Sequence, residues 1–461
     1  MTAPAQQAVD RVLVWAIVAA QFGPPFMFSG VAVALPEMGH QLHMSATELG
    51  LVETTFIATA TAFVLPAGRF ADVADRRSLY KWGLLAFGLI PIAIGCCSHG
   101  GLIIGLRCLQ GLASALSGAV GAAILAELVP FGQRGRVFGA MLGVAYAGLS
   151  LGPLAAGAIV AEYGWRSVFF FGALLILLGS VPIFVRMTSR WHPVARWVHW
   201  PSLVLLAAAV GALVACTAKA QEPSLAWACG VGGGLLLAAF LWLQRRIENP
   251  LLDLRELVHN RPVGQALLVQ LLLYLNAYCS IFMLSLFLQV TKEMPPQSAG
   301  LVLAIGSLVM AIVAPFAGRL ADRMRPQVVT ACGVVAVVVS SVLGLNLGAS
   351  SGVLHVALVL IAQGIGFGLF SSPNLMIVMN SMHGQKSGLA SALASQSRGL
   401  GMFLGMAVTG AFVAMHFGAQ PVAAAPLRLV DTLHGAYTVM LGPLVLALVV
   451  ALARRARAAA V

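Results

Sequence analysis

Three charged residues stand inside long apolar stretches of the sequence: Glu53, Arg107 and Arg398. A carboxylate that is screened from water can take up and release a proton, and a cation beside it favours its ionised form. A local excess of guanidinium groups attracts anions. The sequence therefore contains the groups for proton exchange and for anion binding in apolar surroundings.

Glu53 and Arg107 are predicted to lie at similar depths. Ser45 and Glu48 form a capping-box pattern, so a helix is expected to begin near Ala46. Glu53 then lies about 10–12 Å along that helix, at ~1.5 Å per residue. We hypothesise that Glu53 is ionised beside Arg107 and takes up a proton when the two separate. Two alternatives stay open, a solvated Glu53 in an outer vestibule and an Arg107 that reaches the outer surface.

The stretches that hold these charges are predicted to be membrane-spanning helices. Of the 461 residues, 60% are hydrophobic and 9% are charged, with a mean hydropathy of +0.93. Soluble domains carry about 25% charged residues, so lipid must cover most of this surface. Fourteen apolar stretches, the first near 12–36 and the last near 433–453, are long enough to span a bilayer as helices. Barrel strands are excluded because these stretches are too long and lack alternation.

The distribution of basic residues predicts the orientation. With the N-terminus inside, the inner loops and tails hold 21 of the 27 Lys and Arg residues. This positive-inside bias puts both termini in the cytoplasm, and the expected location is the cell inner membrane. The net charge of +12 follows from this topology, so no nucleic-acid partner is expected.

The sequence contains a long-range repeat. "GLSLGPLAAGAIVA" (148–161) matches "GMFLGMAVTGAFVA" (401–414) at 7 of 14 positions, and "GRFAD" from Gly68 reappears as "GRLAD" from Gly318. These matches indicate an all-α membrane protein of two duplicated six-helix bundles. The expected units are 1–198, an inserted two-helix hairpin over 199–247, and 248–461.

The repeated loop resembles the signature loop of the major facilitator superfamily, G-x-L-A-D-x-x-G-R-[KR]. Asp75 stands where the family has its second glycine, so the turn there is expected to differ. In that family the loop is a latch that steadies one access state. The resemblance implies that the latch residues are Gly68, Asp72, Arg76, Arg77, Glu127, Gly318, Asp322 and Arg323.

Two further motifs carry the resemblance. "LRCLQG" (106–111) is similar to the family's R-x-x-Q-G element. Small residues and a proline follow in the fifth predicted helix, where they permit close packing and a bend. They resemble the antiporter motif of drug-exporting facilitators. This motif comprises Gly148, Gly152, Pro153 and Gly157.

Taken together, the chain resembles the 14-helix drug:proton antiporter family. The resemblance implies proton-coupled export of small organic, amphipathic or drug-like compounds by alternating access. The family's carboxylate in the first helix is missing, since Met27 stands at its position. Glu53 is the candidate that replaces it.

Polar residues inside apolar stretches are the candidate substrate ligands, although each could instead bond a neighbouring helix. They are Gln110, Tyr274, Asn276, Tyr278, Gln363, Asn374, Gln396 and Arg398.

Other functional classes are less favoured by the sequence. The main rival is a transporter of an organic anion or metabolite that uses Arg107 and Arg398 as binding charges. A receptor would need a signalling domain, and no loop or tail in this sequence is long enough to hold one. An enzyme would need a nucleophile motif or residues at metal-ligand spacing, and the sequence contains neither. The expected partners are a small-molecule substrate, protons and the lipid bilayer. No cofactor and no metal is expected, and the protein is expected to act as a monomer.

Overall fold

The described chain is almost entirely helical. The computed structural model describes residues 10–44, 46–187, 199–218, 223–247, 260–382, 387–417 and 426–459. These ranges contain no strand. A helix satisfies its own backbone hydrogen bonds, which is what a chain in lipid requires.

The first half begins with a broken helix. Helix α1 (Arg11–Ala20) and helix α2 (Gly23–Leu42) together form the first membrane passage, and prolines stand in the first turn of α2. Helix α3 begins at Ala46, as the capping pattern predicts. The helices that complete this half are α3 (Ala46–Val73), α4 (Arg76–Gly95), α5 (Gly100–Leu128), α6 (Arg134–Tyr163) and α7 (Trp165–Arg186).

A helical hairpin follows, and then the second half. Helices α8 (Trp200–Ala218) and α9 (Pro223–Gln244) pack against each other, and α8 also contacts α3. Helix α10 continues as a π-helical turn over Phe287–Thr291. The helices of the second half are α10 (Arg261–Leu286), α11 (Pro296–Arg323), α12 (Pro326–Leu345), α13 (Val353–Ser381), α14 (Ser387–Phe417) and α15 (Pro426–Ala459).

The described helices include most of the predicted spans. Eleven helical segments in the described ranges are long and apolar enough to cross a membrane. Helices α8, α9 and α14, with 19, 22 and 31 residues, are the three other long helices, and that they also cross the membrane stays a prediction. Duplication is visible in helix length: α3 and α11 both have 28 residues, α4 and α12 both have 20, and α5 and α13 both have 29.

The two ends of the bundle differ in how the halves pack. We call the end that holds Arg76, Arg134 and Arg323 the basic end, and the other the far end. At the basic end one apolar cluster joins both halves, with members such as Phe138 and Ala390. The cross-half contacts are made mainly by α6 against α11 and by α3 against α14.

At the far end the core is divided. One cluster there belongs to the first half and contains Val52 and Trp165. A separate cluster belongs to the second half and contains Leu284 and Tyr437. The halves therefore share a core at the basic end and keep separate cores at the far end.

Candidate functional site

Glu53 and Arg107 form an ion pair inside the first half. Helix α5 carries Arg107, α3 carries Glu53, and Nη2 of the arginine lies 3.2 Å from Oε1 of the glutamate. The Arg107 side chain is wholly buried, whereas that of Glu53 is 19% exposed. The carboxylate is therefore mostly buried, and the guanidinium contacts it directly.

The other donors of Arg107 also have partners. Nε donates to the carbonyl oxygen of Val52 at 2.9 Å, and Nη1 donates to Oε1 of Gln110 at 2.9 Å. The guanidinium carbon lies 4.6 Å from the centre of the Phe56 ring, a cation–π distance. Arg107 is thus directed at α3 and does not extend to the outer surface.

A second polar cluster joins the two halves at mid-height. Tyr146, on α6, lies with its hydroxyl 2.7 Å from Oγ of Ser371 on α13 and 3.4 Å from the hydroxyl of Tyr274 on α10. Ser371 donates its own proton to the carbonyl of Phe367, so Tyr146 donates to Ser371. The Phe367 ring packs edge-on against Tyr274. One side chain of the first half thereby contacts two helices of the second.

Arg398, on α14, lies beside this cluster. Nη2 of Arg398 donates to Oγ of Ser395 on the same helix at 3.3 Å. A methyl group added to Gly401, about one turn further along α14, would lie 2.9 Å from Cβ of Tyr274. Helix α14 approaches α10 closely here, because a methyl group added to Gly405 would lie 3.1 Å from Cβ of Tyr278.

Two of the candidate ligands bond within the second half. Nδ2 of Asn276 donates to Oγ of Ser341 at 3.1 Å, and Nδ2 of Asn374 donates to Oε1 of Gln270 at 3.2 Å. Both asparagines are buried. Their hydrogen bonds connect neighbouring helices of one half, which is the alternative that the sequence left open.

Three glutamines keep a buried amide atom without a hydrogen-bond partner among the described residues. The atoms are Nε2 of Gln110, Nε2 of Gln363 and Oε1 of Gln396. A buried polar atom without a partner costs about 1–3 kcal/mol. These atoms are therefore available to water or to a ligand between the helices.

Asp322 joins the halves at the basic end. Its Oδ1 and Oδ2 accept the backbone N–H groups of Gly135 at 2.8 Å and Arg136 at 2.7 Å. These amides belong to the first turn of α6, so they have no partner within their own helix. The carboxylate also lies at the positive end of the α6 dipole. The neighbouring Arg323 is exposed.

A second set of contacts crosses the basic end close by. Nη1 of Arg134 donates to Oδ1 of Asn380 at 2.8 Å, and its guanidinium lies 3.9 Å from the Phe131 ring centre. Oγ of Ser372 donates to the carbonyl of Gly135 at 3.2 Å. Opening of the basic end must break these hydrogen bonds together with those of Asp322.

The first-half loop is organised by Arg76 and Asp75. Arg76 is buried, donates from Nε to the carbonyl of Ala71 at 2.8 Å, and places Nη1 3.7 Å from Oε2 of Glu127. Asp75 caps α4 by accepting the N–H of Arg77 at 3.1 Å, with φ −67°. The replacement of the expected glycine thus gives an ordinary capped helix start.

The two copies of the repeated loop meet the opposite half in the same way. A methyl group added to Gly68 would lie 2.7 Å from the carbonyl oxygen of Gly388, at the start of α14. One added to Gly318 would overlap the carbonyl of Gly135, at the start of α6. Close contact of the halves therefore requires glycine at both positions. The side chain of Asp72 lies outside the described residues.

The antiporter-like motif of α6 is only partly a packing element. A methyl group added to Gly148 would overlap the carbonyl of Phe22, the residue before α2, and one added to Gly152 would overlap Ser29 of α2, whereas one added to Gly157 would meet nothing within 4 Å. Pro153 lies inside the helix between them. Close packing on α2 thus explains the first two glycines and leaves Gly157 without a packing role.

Sequence reasoning missed several residues that the structure brings together. Tyr146 stands out as a phenol in an apolar stretch, so its composition could have revealed it. Ser371, Asn380 and Gly135 gave no such signal, because their importance comes from contacts more than 180 residues away along the chain.

Two duplicated helical halves that meet around buried polar clusters define a membrane transporter of small molecules. The family profile described as Major Facilitator Superfamily matches residues 17–406 and 266–460. The chain belongs to the Major Facilitator Superfamily, and it is a multi-pass transporter and not an enzyme.

Its relatives include drug-resistance transporters. The chain is 28% identical over 400 residues to multidrug resistance protein Stp of Mycobacterium tuberculosis, covering 83% of this chain and 72% of that one. It is 29% identical over 430 residues to puromycin resistance protein pur8 of Streptomyces alboniger, covering 89% and 83%. The structure of the human organic anion transporter MFSD10 (TETRAN) matches with a TM-score of 0.66 and 15% identity, over 96% of this chain and 100% of that one. That likeness shows the fold alone.

Proposed function

We propose that the chain is a proton-coupled secondary transporter that exports small amphipathic, drug-like compounds by alternating access. It lies in the cell inner membrane with both termini in the cytoplasm and works as a monomer. Residues 1–198 and 248–461 are the two bundles that move against each other, and 199–247 is an inserted hairpin.

The observation that carries the proposal is the ion pair of Glu53 and Arg107. An ionised arginine in a membrane span costs about 2.5–3.5 kcal/mol on insertion scales. Leu360 holds the corresponding position in the second half, so helix packing does not require the charge. A carboxylate that is alternately paired and unpaired within the membrane is what proton coupling requires.

The pair gives a simple cycle. While Arg107 contacts Glu53, the carboxylate is ionised and its proton site is empty. A shift of α3 against α5 separates the charges, and the partly exposed carboxylate then takes up a proton. The ion pair must form again while the site is open to the cytoplasm, where the proton is released.

Closure at the basic end fits one end state of this cycle. If that end faces the cytoplasm, the hydrogen bonds of Asp322 and Arg134 close the cytoplasmic path, and the divided core at the far end lies towards the outside. We infer that these contacts form the latch, together with the loop of Gly68, Asp72 and Arg76.

The drug-resistance names of the relatives support export. Stp is a multidrug resistance protein, and pur8 is a puromycin resistance protein. A membrane transporter confers such resistance when it removes the compound from the cell. The rival hypothesis uses both Arg107 and Arg398 as anion-binding charges. For Arg107 this role is less favoured, since its donors contact Glu53, Gln110 and Val52.

The proposal is tested with purified protein in proteoliposomes under an imposed pH gradient. A panel that contains puromycin, an aromatic carboxylate and a neutral aromatic amide is screened first. Glu53→Gln should abolish the gradient-driven transport of any compound that the wild type moves, while binding stays measurable. Arg107→Ala should also impair coupling.

A matched control is available in Glu162→Gln, which removes an exposed carboxylate at the far end of α6. It should transport like the wild type. Transport by Glu53→Gln with an unchanged dependence on the proton gradient would show that the proton site lies elsewhere.

The orientation has its own test. Reporter fusions after Arg457 and within 219–223 should report cytoplasm and outside, respectively. An outside report for Arg457 would refute the topology.

A further inference from the structure

We propose that Arg398 anchors an anionic group of the substrate, so that the transported compounds are aromatic anions such as aromatic carboxylates. This inference rests on the proposed function and makes its substrate class specific.

The first argument is the unbalanced charge of Arg398. Of the two arginines deep in the spans, Arg107 has its carboxylate partner in Glu53. Within the described ranges no carboxylate lies within 4.0 Å of the Arg398 guanidinium, whose hydrogen bond goes to the hydroxyl of Ser395. An intramembrane guanidinium normally pairs with an opposite charge or with backbone carbonyls, and neither is in contact with Arg398 among the described residues. A substrate anion would supply that charge.

The second argument is the direction of the side chain. A methyl group added to the next residue, Gly399, would lie 2.9 Å from Cγ2 of Thr61 on α3 of the first half, and one added to Gly401 would lie 2.9 Å from Cβ of Tyr274 on α10. Leu400 and Leu404, on another side of α14, are exposed. At about 100° per residue, Arg398 lies between the first two contacts and away from the exposed leucines, so it faces the space between the halves. It is also partly exposed, so a solute in that space can reach it.

The third argument is depth, which separates a substrate anion from a lipid phosphate. Helix α14 begins at Ser387, so Arg398 lies about 16 Å along it at ~1.5 Å per residue. Lipid phosphates lie at the bilayer surface, outside a hydrocarbon core roughly 30 Å thick. The position therefore favours an anion that enters between the halves.

The fourth argument is the group of aromatic side chains that lies beside this part of α14, since Gly401 and Gly405 approach Tyr274 and Tyr278. Tyr274 and Tyr278 lie one turn apart on α10, and Phe367 packs edge-on against Tyr274 with ring centroids 5.1 Å apart. Flat aromatic groups pack well against such rings in offset or edge-on geometry. The site thus combines a cation with an apolar aromatic surface, which fits an aromatic ring that carries a carboxylate.

The test compares probes that share one ring system and differ in charge. Binding of 2-naphthoate, 2-naphthamide and 2-naphthylmethylammonium is measured by calorimetry on the purified full-length protein in detergent. The wild type should bind the anion at least about tenfold more tightly than the amide, the ratio expected from one charge-assisted hydrogen bond. Equal affinities for the three probes would overturn the proposal.

Variants assign the preference to Arg398. Arg398→Gln should bring the anion-to-amide ratio close to one, and Arg398→Glu should reverse the preference towards the ammonium probe. Arg428→Gln, which changes an exposed arginine at the start of α15, should keep the wild-type ratio. Each variant is compared by size-exclusion profile and melting temperature, so that loss of fold is not taken for loss of binding. A ratio that survives in Arg398→Gln would refute the assignment.

The outcomes separate this inference from the proposed function. If Glu53→Gln loses proton coupling but Arg398→Gln keeps the anion preference, proton coupling stands and the anchor is wrong. If Arg398→Gln loses the preference while Glu53→Gln transports normally, the anchor stands and the proton site is wrong.

Discussion

The first half of the protein carries an ion pair where the second half carries leucines. Helices α3 and α11 correspond at an offset of 250, so Glu53 matches Leu303, and α5 and α13 correspond at 253, so Arg107 matches Leu360. Leu303 packs on the apolar cluster that contains Leu360. One pair of helices therefore contacts through opposite charges, and its duplicate contacts through apolar side chains.

Helix packing is nevertheless alike in the two places. A methyl group added to Gly111 would lie 2.6 Å from the carbonyl oxygen of Phe56, and one added to Gly364 would lie 2.6 Å from that of Gly306. Phe56 and Gly306 are equivalent at the same offset of 250. The duplicated fold thus requires glycine for close approach and does not require the charges.

The largest expected effect is a change in stability when the charges of the first half are replaced by the leucines found in the second. Arg107→Leu alone leaves Glu53 as an unpaired, mostly buried charge, and loss of one partner of such a pair costs about 3–5 kcal/mol. The double variant Glu53→Leu/Arg107→Leu has neither charge and should recover most of that stability. Melting temperatures in detergent, compared in a double-mutant cycle, measure the coupling.

The same double variant separates stability from function. It should fold and reach the membrane but show no transport driven by a pH gradient in proteoliposomes. A double variant that is less stable than either single variant would contradict the comparison, because the pair would then hold the fold together.

An intermediate effect is expected at the latch, where the two copies of the loop can be compared. Asp322→Asn weakens the charge-assisted hydrogen bonds to Gly135 and Arg136, each worth about 1.5–3 kcal/mol. The basic end should open more often, so amide hydrogen exchange in the first turn of α6 should accelerate and transport should slow. Asp72→Asn in the other copy should also slow transport while the folded protein stays in the membrane.

Arg325→Gln is the control for these variants, since it changes an exposed arginine of the same loop that is not among the latch residues. Its exchange rates should match those of the wild type. Wild-type transport in both Asp322→Asn and Asp72→Asn would show that the loops are not a latch.

The smallest effect is expected within one motif. Gly157→Ala adds a methyl group into open space and should stabilise α6 by up to about 1 kcal/mol, the helix-propensity difference between the two residues. Gly148→Ala adds the same group against α2 and should lower the melting temperature. Destabilisation by both would show that Gly157 also has a packing role.

The sequence by itself determined the helices and their duplication. Lipid requires every backbone group to bond within its own segment, so long apolar stretches predict helices, and the capping pattern placed the start of α3 at Ala46. The repeated "GRFAD" and "GRLAD" indicated two related halves. In each copy the glycine stands where two helices meet.

Tertiary structure alone decided which groups meet. Depth estimates placed Glu53 and Arg107 at one level, but only the packing of α3 on α5 put them 3.2 Å apart. Likewise, Asp322 accepts hydrogen bonds from backbone amides of α6, and Tyr146 donates one to Ser371. The sequence around Asp322 or Tyr146 does not predict either partner. Backbone hydrogen bonding is satisfied locally and can be predicted from one segment, whereas contacts between helices depend on how two distant surfaces fit together.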